Sequence, residues 1–347
     1  MKAVVFEEHG GVDKLQYKNV PEPKVGPNEV LIKVKAAGCN YNDIWARRGL
    51  PGVEIILPHV SGSDAAGEVV EVGSEVKGFK AGDEVMVHPG ISCRTCEACT
   101  SGREFFCRRF QIWGFQTGPL DGADAEYAKL PEINLLAKPP NLSFEEAASL
   151  PLILMTVWRM LVSRAGVQAG DHVLIWGGAG GLGSMAIQVC NLFGARAIAV
   201  VGSDKKADYA KELGAFEVIN RNSQSLKDEV KRINRAGVDI VFEHTGQDTW
   251  KQSVAALRWG GTLVTCGATS GFIGETDIRF LWNKQMNFYG SHMASKGELL
   301  QAMKFVQSGQ IKPLVSQVFA LKDAAKAQTA MEEGEVMGKM VLVPESA

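Results

Sequence analysis

The first 140 residues alternate short apolar runs with turns. Residues 30–34 (VLIKV) are rich in β-branched side chains, and residues 67–73 (GEVVEVG) alternate apolar and polar positions before a turn. Glycine recurs at short intervals through this part of the chain, at positions 62, 67, 73, 78 and 82. Because glycine interrupts helices and favours tight turns, the pattern predicts a compact β-barrel-like domain.

The pattern changes after residue 140. Pro139 and Pro140 read as a linker, and Ser143 followed by Glu145 and Glu146 is typical of a helix start. Beyond it, strand-like runs alternate with segments of helical spacing, which predicts βαβ units and a parallel sheet. The predicted strands are 173–176, 197–201, 217–220, 239–243 and 262–266, and the predicted helices include 184–193 and 205–213.

These patterns predict an α/β protein of two domains. We expect a β-barrel domain over 1–140 and a doubly wound parallel sheet over 141–294. The strand-like segment Met340–Val343 has no place in the strand–helix series. We therefore expect it to pair back onto the first domain, as part of a C-terminal return over about 295–347.

Composition and charge exclude several function classes. The 347 residues are 46% hydrophobic and 22% charged, with a formal net charge of −2, which is typical of a globular protein. The charge balance argues against a nucleic-acid or membrane partner. The longest oily stretch, 150–158, contains Pro151 and is far too short to span a bilayer. The first residues lack the apolar core of a signal peptide, so we expect a cytoplasmic protein.

A glycine-rich loop follows the predicted strand 173–176. It matches the dinucleotide pattern G-x-G-x-x-G and opens a predicted helix. One glycine permits the tight turn, one lets the backbone approach a pyrophosphate, and one allows close helix–strand packing. Free N–H groups at the helix start then attract the phosphates. The candidate cofactor-binding residues of the loop are Gly178, Gly180, Gly181, Leu182 and Gly183.

The residues after the next strand indicate which dinucleotide binds. An NAD site usually has an acidic residue about twenty positions on, which bonds the ribose 2′-hydroxyl. That position falls on Gly202 or Ser203, while Lys206 and Arg221 could pair with a 2′-phosphate. Asp204, an acidic residue close to that position, instead favours NAD. On balance the pattern predicts NADPH.

Four of the seven cysteines lie within fifteen positions. Cys93, Cys96, Cys99 and Cys107 have the short spacing of a closed, tetrahedral Cys₄ zinc site. An iron–sulfur cluster or two local disulfides are the alternatives. We predict one structural Zn²⁺, which supports the fold rather than the chemistry because a closed site has no open coordination position.

These features, in this order, resemble the zinc-containing medium-chain dehydrogenase/reductase superfamily (alcohol dehydrogenase-like) over essentially the whole chain. The resemblance implies a GroES-like catalytic domain with a structural-zinc lobe, followed by a Rossmann domain. Members also carry a catalytic zinc held by Cys, His and Cys, from motifs like G-x-C-H-x-D and G-H-E-x-x-G-x-V.

The positions of this second zinc carry other residues here. Matching the first motif through Asp43 places Asn40 at the ligand position, with Cys39 one residue out of register. Ser63 stands at the histidine position of the second motif, and the third ligand falls around residues 152–153. We therefore predict that the chain has no catalytic zinc.

Within the superfamily, several segments look like crotonyl-CoA carboxylase/reductase and its non-carboxylating enoyl-CoA reductase relatives. The resemblance implies that NADPH reduces a short 2-enoyl-CoA thioester, such as acryloyl-CoA or crotonyl-CoA, by hydride transfer to Cβ and protonation of the resulting enolate. The similar segments are 39–42 with 44–46, 59–64, 112–117, 158–161 and 290–294.

The same resemblance suggests which residues act on the substrate. In the carboxylating relatives, an Asn of an Asn-Tyr-Asn motif, a Phe-Glu pair and a His hold CO₂ near the enolate. Those roles would pass to Asn42 (or Asn40), Phe115, Gln116 and His292. Because Gln116 stands where carboxylating enzymes have Glu, we predict a reductase with weak or absent carboxylation.

Other interpretations stay open at this point. Asn40 and Asn42 could cap the turn before a helix, and His292 could be a structural hydrogen-bonding group. An NADPH:quinone or enone reductase, a non-catalytic nucleotide sensor, or an alcohol dehydrogenase with a second zinc are the alternative functions. Relatives associate through Rossmann sheet edges, which implies a homodimer or homotetramer, with 262–266 as a candidate edge strand.

Overall fold

The computed structural model describes residues 1–345. The chain forms two compact units. The first contains Met1–Leu152, Ser295–Met303 and the chain from Pro313 onward, and the second contains Ile153–Ala294 and Lys304–Lys312. The first boundary between the two units therefore falls after Leu152 and not at the expected position 140. The reason is that the helix after the linker packs on strands of the first unit.

Strands and helices are numbered in chain order. The strands are β1 (Lys2–Phe6), β2 (Gln16–Asn19), β3 (Glu29–Gly38), β4 (His59–Val60), β5 (Asp64–Val72), β6 (Glu84–Val87), β7 (Gly90–Ile91), β8 (Gln111–Ile112), β9 (Tyr127–Pro131), β10 (Leu135–Ala137), β11 (His172–Trp176), β12 (Arg196–Val201), β13 (Glu217–Asn220), β14 (Val238–Glu243), β15 (Leu257–Thr265), β16 (Asn287–Gly290), β17 (Val315–Ala320) and β18 (Lys339–Val343). The helices are α1 (Tyr41–Arg48), α2 (Glu97–Thr100), α3 (Phe144–Ala148), α4 (Pro151–Trp158), α5 (Gly181–Leu192), α6 (Asp204–Glu212), α7 (Leu226–Ile233), α8 (Gln247–Ala256), α9 (Ile278–Asn283), α10 (Lys296–Gln307) and α11 (Ala324–Glu332).

The first unit is built on a seven-stranded sheet. Its order is β10-β6-β5-β3-β18-β17, and β9 also pairs with β3. Val30, Ile32 and Val34 of β3 are fully buried, as their β-branched, alternating pattern predicts. The C-terminal strand β18 pairs antiparallel with β3, with Val341 opposite Gly38. Segment 340–343 therefore returns to this unit as expected, but within the expected return over 295–347 the segment Lys304–Lys312 belongs to the second unit.

The helix start at Ser143 is confirmed. The Ser143 hydroxyl accepts a hydrogen bond from the Glu146 N–H, and the Glu146 carboxylate accepts one from the Ser143 N–H. This reciprocal capping box satisfies two backbone donors that a helix otherwise leaves free. It fixes where α3 begins, and α3 then packs on β3 and β5.

The second unit is a parallel α/β sheet, as the alternating pattern predicted. All of its strand pairs are parallel, and the strand order is β13-β12-β11-β14-β15-β16. Leu174, Ile198, Val241 and Leu263 are fully buried, which fits strands covered on both faces by helices.

The prediction that residues 262–266 form an edge strand was wrong. Residues 262–265 belong to β15, which pairs with β14 on one side and with β16 on the other. The short strand Asn287–Gly290 was not recognised in the sequence because its four residues carry no clear apolar alternation. It forms the edge of the sheet instead. Across residues 1–345, none of the helices is long and apolar enough to cross a membrane.

Candidate active site

Four cysteine sulfur atoms converge in the first unit. The Sγ atoms of Cys93, Cys96, Cys99 and Cys107, here called the cysteine quartet, all lie within 4.8 Å of one another. Cys93 and Cys99 are 3.8 Å apart and Cys96 and Cys99 are 3.5 Å apart, measured between Sγ atoms. Zn–S bonds of about 2.3 Å at tetrahedral angles place sulfur atoms about 3.8 Å apart. The geometry therefore fits a zinc ion and is far too wide for disulfides.

The surroundings of the quartet act differently on its individual thiols. Backbone N–H groups, chiefly that of Thr95 and then that of Cys96, lower the pKa of Cys93 to about 5. The Cys99 backbone acts in the same direction on Cys96, but the neighbouring thiols of Cys93 and Cys99 outweigh it and raise the pKa of Cys96 to about 11. Backbone hydrogen bonding, chiefly from Cys93, also lowers the pKa of Cys107, so negative charge concentrates on Cys93 and Cys107, and a bound cation would let the remaining thiols ionise.

The glycine loop joins β11 to α5, and its glycines have different physical roles. A Cβ placed on Gly178 would lie 2.6 Å from the Ala199 Cβ, and one on Gly183 would lie 2.2 Å from the Gly177 carbonyl oxygen. These two positions need glycine for close packing. A Cβ on Gly180 would meet only the Gly177 oxygen, at 3.5 Å, so this side of the loop is open. An open backbone is what a pyrophosphate requires.

The start of α5 carries backbone groups suited to an anion. Gly181, Leu182 and Gly183 form the first turn of this twelve-residue helix, and Gly180 precedes it as the N-terminal cap residue. The first N–H groups of a helix have no partner within the helix, and the helix dipole adds positive potential at the same end. The loop and helix together have the geometry that a dinucleotide-binding turn requires.

The proposed 2′-phosphate residues lie at the carboxyl ends of β12 and β13. The Ser203 hydroxyl accepts a hydrogen bond from the backbone N–H of Lys206 at 3.4 Å and so caps α6. The Arg221 N–H donates to Val201 at 3.0 Å, and a Cβ on Gly202 would lie 3.9 Å from the Arg221 Nε. The structure therefore brings Ser203, Lys206 and Arg221 to one end of the sheet.

Two further side chains shape this end. The Asp204 carboxylate accepts a hydrogen bond from the Asn220 amide at 2.8 Å. The Asn222 amide donates to the Gly202 carbonyl at 2.7 Å. Asp204, the residue that argued for NAD, is thus engaged with Asn220. Asn222 was not identified from the sequence because it matches no cofactor motif.

Asn40 lies in a buried, charged cluster of the first unit. Its amide nitrogen donates to the Gly38 carbonyl at 3.1 Å and to the Asp64 carboxylate at 2.9 Å. Its amide oxygen accepts from the Lys339 ammonium at 2.5 Å. Lys339 also donates to the Cys39 carbonyl at 2.5 Å and lies 3.4 Å from Asp64. We call Asn40, Asp64 and Lys339 the Asn40 cluster.

The Asn40 cluster is closed to solvent. Asp64 is fully buried, and Asn40 and Lys339 are nearly so. Burial raises the pKa of Asp64, and the Lys339 ammonium is the main group that opposes this shift. A buried carboxylate is tolerated when a cation and hydrogen bonds compensate it. Both amide hydrogens of Asn40 are already donated, so the Asn40 side chain is a structural hub.

Ser63 and Leu152 lie at the other two positions where the resemblance implies catalytic zinc ligands, and neither side chain is a usual zinc ligand. Ser63 is fully buried, and its hydroxyl makes no hydrogen bond within the described chain. Leu152 is aliphatic, and its backbone N–H donates to the Asp64 carboxylate at 2.8 Å. Within residues 1–345, the cysteine quartet is the one group of three or more His, Cys, Asp or Glu side chains placed to hold a metal ion.

The two asparagines of the Asn-Tyr-Asn motif differ in their surroundings. Asn40 caps α1, and its backbone N–H donates to the Asp43 carboxylate at 2.8 Å. Burial raises the pKa of Asp43 to about 7, although the N–H groups of Asn40 and Gly62 and the charge of Lys339 oppose this shift. Asn42, in the first turn of α1, is half-buried, and its amide makes no hydrogen bond inside the described part of the chain. Asn42 is thus the asparagine available to a ligand.

Phe115 and Gln116 lie on the loop after β8. Phe115 is buried, and the Gln116 amide oxygen accepts a hydrogen bond from the Ile112 N–H at 3.0 Å. Behind this loop, the ring nitrogen Nε2 of His59 lies 3.2 Å from the Gly114 carbonyl. These contacts fix the loop, while the Gln116 amide nitrogen donates no hydrogen bond within residues 1–345.

His292 lies in the second unit, just after β16. The preceding residue, Ser291, donates its N–H to the Thr265 carbonyl at 2.8 Å, and Met293 adopts a left-handed backbone with φ of +52°. Partial burial of the ring lowers the pKa of His292, and the positive charge of Arg159 adds to this effect. The imidazole is therefore neutral at neutral pH although the residue is partly exposed.

Sequence reasoning missed Asp64 and Lys339 as parts of these sites. Asp64 lies inside segment 59–64, one of the segments similar to the enoyl-CoA reductases. No oppositely charged partner for its carboxylate lies close to it in the sequence. Lys339 opens the apolar run of β18, where it is almost fully buried. A lysine at such a position is the one signal that could have indicated a buried ion pair.

The fold and the two binding sites define the class of protein. Residues 26–140 match the alcohol dehydrogenase GroES-like domain family, and residues 181–308 match the zinc-binding dehydrogenase family. The chain belongs to the zinc-containing medium-chain dehydrogenase/reductase superfamily and is an NAD(P)-dependent oxidoreductase.

Individual relatives carry different names. A crotonyl-CoA reductase of Streptomyces avermitilis is 38% identical over 93% of this chain and 80% of its own length. A crystal structure of an NAD-dependent alcohol dehydrogenase is 42% identical, with a TM-score of 0.93 over 99% of both chains. The 2-octenoyl-CoA carboxylase reductase CinF, solved with NADP and 2-octenoyl-CoA, is 36% identical, with a TM-score of 0.88 over 96% of this chain and 82% of its own.

Proposed function

We propose that the protein reduces a short-chain 2-enoyl-CoA thioester, such as acryloyl-CoA or crotonyl-CoA, with NADPH. The observation that carries the proposal is the Asn40 cluster. At the positions where a zinc-dependent alcohol dehydrogenase would need metal ligands, this chain has an amide bonded to Lys339 and Asp64, a serine and a leucine. The 38% identity to a crotonyl-CoA reductase supports the same conclusion.

The side chains suit an alkene substrate. Bound NADPH supplies a hydride, and the β-carbon of the substrate accepts it. The negative charge that develops on the thioester oxygen is stabilised by hydrogen-bond donors that are already in place. We assign this donation to the free amides of Asn42 and Gln116 in the first unit, while buried Phe115 excludes water. These donors are neutral and stabilise the enolate without a metal ion. The role of His292, in the second unit, stays a prediction from the resemblance.

We propose NADPH rather than NADH. No acidic side chain directly follows β12, and Ser203, Lys206 and Arg221 lie at the carboxyl ends of β12 and β13. A lysine and an arginine there suit a 2′-phosphate, and an arginine binds it with paired N–H groups. Affinity measurements with both cofactors test this choice, and tighter binding of NADH would overturn it.

We propose that carboxylation is weak because Gln116 replaces the acidic residue of the carboxylating relatives. The Gln116 amide oxygen accepts from Ile112, and only its amide nitrogen is left to donate. We predict that Gln116→Glu raises the fraction of alkylmalonyl-thioester formed in bicarbonate by about tenfold, whereas Gln301→Glu, at an exposed position on α10, leaves it unchanged. Product analysis by mass spectrometry measures the fraction. Substantial carboxylation by the wild-type enzyme would overturn this assignment.

A substrate screen tests the main proposal. NADPH oxidation is followed with acryloyl-CoA, crotonyl-CoA, longer enoyl-CoAs, quinones, free enones and ketones. Fastest turnover of a short enoyl-CoA supports the proposal, and equal rates on free enones would favour a quinone or enone reductase. The 42% identical structure favours an alcohol dehydrogenase. Turnover of ketones together with two zinc ions per chain would establish that function instead.

We propose one structural zinc in the cysteine quartet and a homodimer or homotetramer. The oligomer is supported by large apolar side chains exposed on the second unit, in and before α9, close in sequence to the edge strand β16. They are Phe272, Ile273, Ile278 and Trp282. Exposed apolar surface of this extent usually marks an interface. Light scattering of the purified chain measures the assembly, and a monomer at micromolar concentration would contradict it. The cytoplasmic location stays a prediction.

A further inference from the structure

His244 directly follows β14, at the place in the second sheet where the strand order reverses. β11 and β14 are neighbours, with Val173 opposite Ile240 and Ile175 opposite Phe242. The chain leaves β11 towards β12 and β13 on one side and returns at β14 on the other. In open α/β sheets, ligands bind outside the carboxyl ends of the strands where the strand order reverses in this way. His244 therefore lies at the switch point.

The imidazole of His244 is held in one orientation. Its Nε2 atom lies 2.9 Å from the carbonyl oxygen of Trp176, the last residue of β11. A carbonyl can only accept, so Nε2 carries the proton and donates, which leaves Nδ1 as an acceptor in the neutral ring. Burial lowers the pKa of His244, although the Trp176 carbonyl and the Glu243 charge oppose this, so the ring is neutral at neutral pH. Within residues 1–345, Nδ1 has no hydrogen-bond partner.

The same ring touches the backbone of the glycine loop. A Cβ placed on Gly177 would lie 3.1 Å from Cε1 of His244 and 3.2 Å from Nε2. Gly177 is the residue between β11 and the dinucleotide motif, and its φ is +58°. The ring thus lies beside the loop on which a pyrophosphate would rest.

The position of His244 also indicates which half of the cofactor it meets. Ser203, Lys206 and Arg221 place the 2′-phosphate of the adenosine half on the β12–β13 side of the loop. His244 lies on the other side, at the end of β14. A dinucleotide that crosses the switch point extends its nicotinamide ribose to that side. Phosphate oxygens accept hydrogen bonds, whereas ribose hydroxyls donate them, so the acceptor Nδ1 fits a hydroxyl.

We propose that His244 is a cofactor-positioning residue whose Nδ1 accepts a hydrogen bond from a hydroxyl of the nicotinamide ribose. The inference rests on the proposed binding of NADPH by the second unit. The bond orients the nicotinamide half relative to the glycine loop, while the Nε2 bond to Trp176 fixes the ring that makes it.

The test compares two ligands in three variants of the whole protein. NADPH contains both halves of the cofactor, and 2′,5′-ADP contains only the adenosine half. We expect His244→Phe to weaken NADPH binding about tenfold and to leave the affinity for 2′,5′-ADP unchanged. His244→Gln keeps one donor and one acceptor and recovers most of the NADPH affinity. Gln252→Ala, at an exposed position on α8, serves as the matched control and changes neither affinity.

Calorimetric titration distinguishes the outcomes. Equal weakening of both ligands in His244→Phe would mean a structural role and overturn the proposal, as would unchanged NADPH affinity. The proposal would also be overturned if His244→Gln bound NADPH no more tightly than His244→Phe. If the phenylalanine variant does not fold, His244→Ala takes its place in the same comparison. A wild-type chain that does not bind NADPH at all would instead refute the proposed function itself, and this inference with it.

Discussion

The cysteine quartet and the Asn40 cluster belong to the same unit, but the chain assembles them in opposite ways. The quartet draws its four ligands from residues 93–107, and one turn of α2 brings two of them together. The Asn40 cluster joins Asn40 to Lys339, which is 299 positions away in the chain. The first site is local and suited to an external cation. The second is non-local, and the cation it contains is a side chain.

The two sites differ in what compensates their negative charge. Thiolates that lie side by side repel one another, so the quartet is stable as an ionised set only with a metal. The buried Asp64 carboxylate faces the ammonium of Lys339 and the amide of Asn40, so it is compensated by the fold itself. The two regions should therefore respond differently to metal removal and to mutation.

The largest effect should come from breaking the cysteine quartet. In Cys96→Ser we expect the zinc content to fall from one ion per chain to about a tenth or less, because a structural site fills all four tetrahedral positions with protein ligands and the variant leaves the ion incompletely coordinated. Elemental analysis of the purified protein measures it. Cys266→Ser, outside the quartet, keeps the full zinc content. One zinc per chain in Cys96→Ser would contradict the assignment of the site.

The Asn40 cluster should depend on Lys339 and not on metal. Lys339→Met leaves the Asp64 carboxylate buried without a cation, and we expect the free energy of unfolding to fall by about 3–5 kcal/mol. Urea denaturation measures this change. Adding Asp64→Asn in the same chain should recover part of the loss, because both charges are then gone.

An exposed lysine is the matched control for that prediction. Lys322→Met removes the surface ion pair with Glu345 and should change stability by less than about 1 kcal/mol. A chelator should likewise leave the Lys339→Met difference unchanged. Equal effects of the two lysine substitutions would mean that the buried pair contributes no more to the free energy of unfolding than a surface ion pair does.

His59 is another group whose properties depend on non-local packing. Burial lowers its pKa to about 4, although the Gly114 carbonyl opposes the shift. Between pH 6.5 and pH 4 the unfolded chain binds a proton that the folded chain does not. Stability should therefore fall as the pH falls through this window, by about 3 kcal/mol from this group.

Denaturation between pH 4 and pH 7 measures the contribution of His59. In His59→Gln the decrease in stability towards low pH should be smaller by that amount, whereas Gln252→Ala, at an exposed position on α8, should follow the wild type. A His59→Gln curve parallel to the wild-type curve would show that His59 protonates equally in the folded and unfolded chains.

The smallest structural effect is expected in the glycine loop. A Cβ on Gly180 meets only one atom, at 3.5 Å, so Gly180→Ala should melt within a few degrees of the wild type. It should still weaken NADPH binding about tenfold, because the added methyl group lies where the backbone must approach a pyrophosphate. Gly290→Ala, where a Cβ meets nothing within 4 Å, is the matched control. Unchanged affinity in Gly180→Ala would contradict the role of this glycine.

Much of the fold follows from short-range pattern. The strands of the second unit and the capped start of α3 could be predicted because each depends on residues close in sequence. The edge of the sheet could not, since β16 carries no clear alternation and takes its place only by pairing with β15.

The sequence by itself determined the α/β class, the glycine loop and the cysteine quartet, because their chemistry depends on spacings of a few residues. Only the tertiary structure decided that Lys339 neutralises Asp64, that Asn40 is a structural hub while Asn42 is free, and that His244 bonds to Trp176, 68 positions earlier. Such contacts arise when distant strands pair, and the pairing depends on burial over the whole unit, so no local spacing of residues records it.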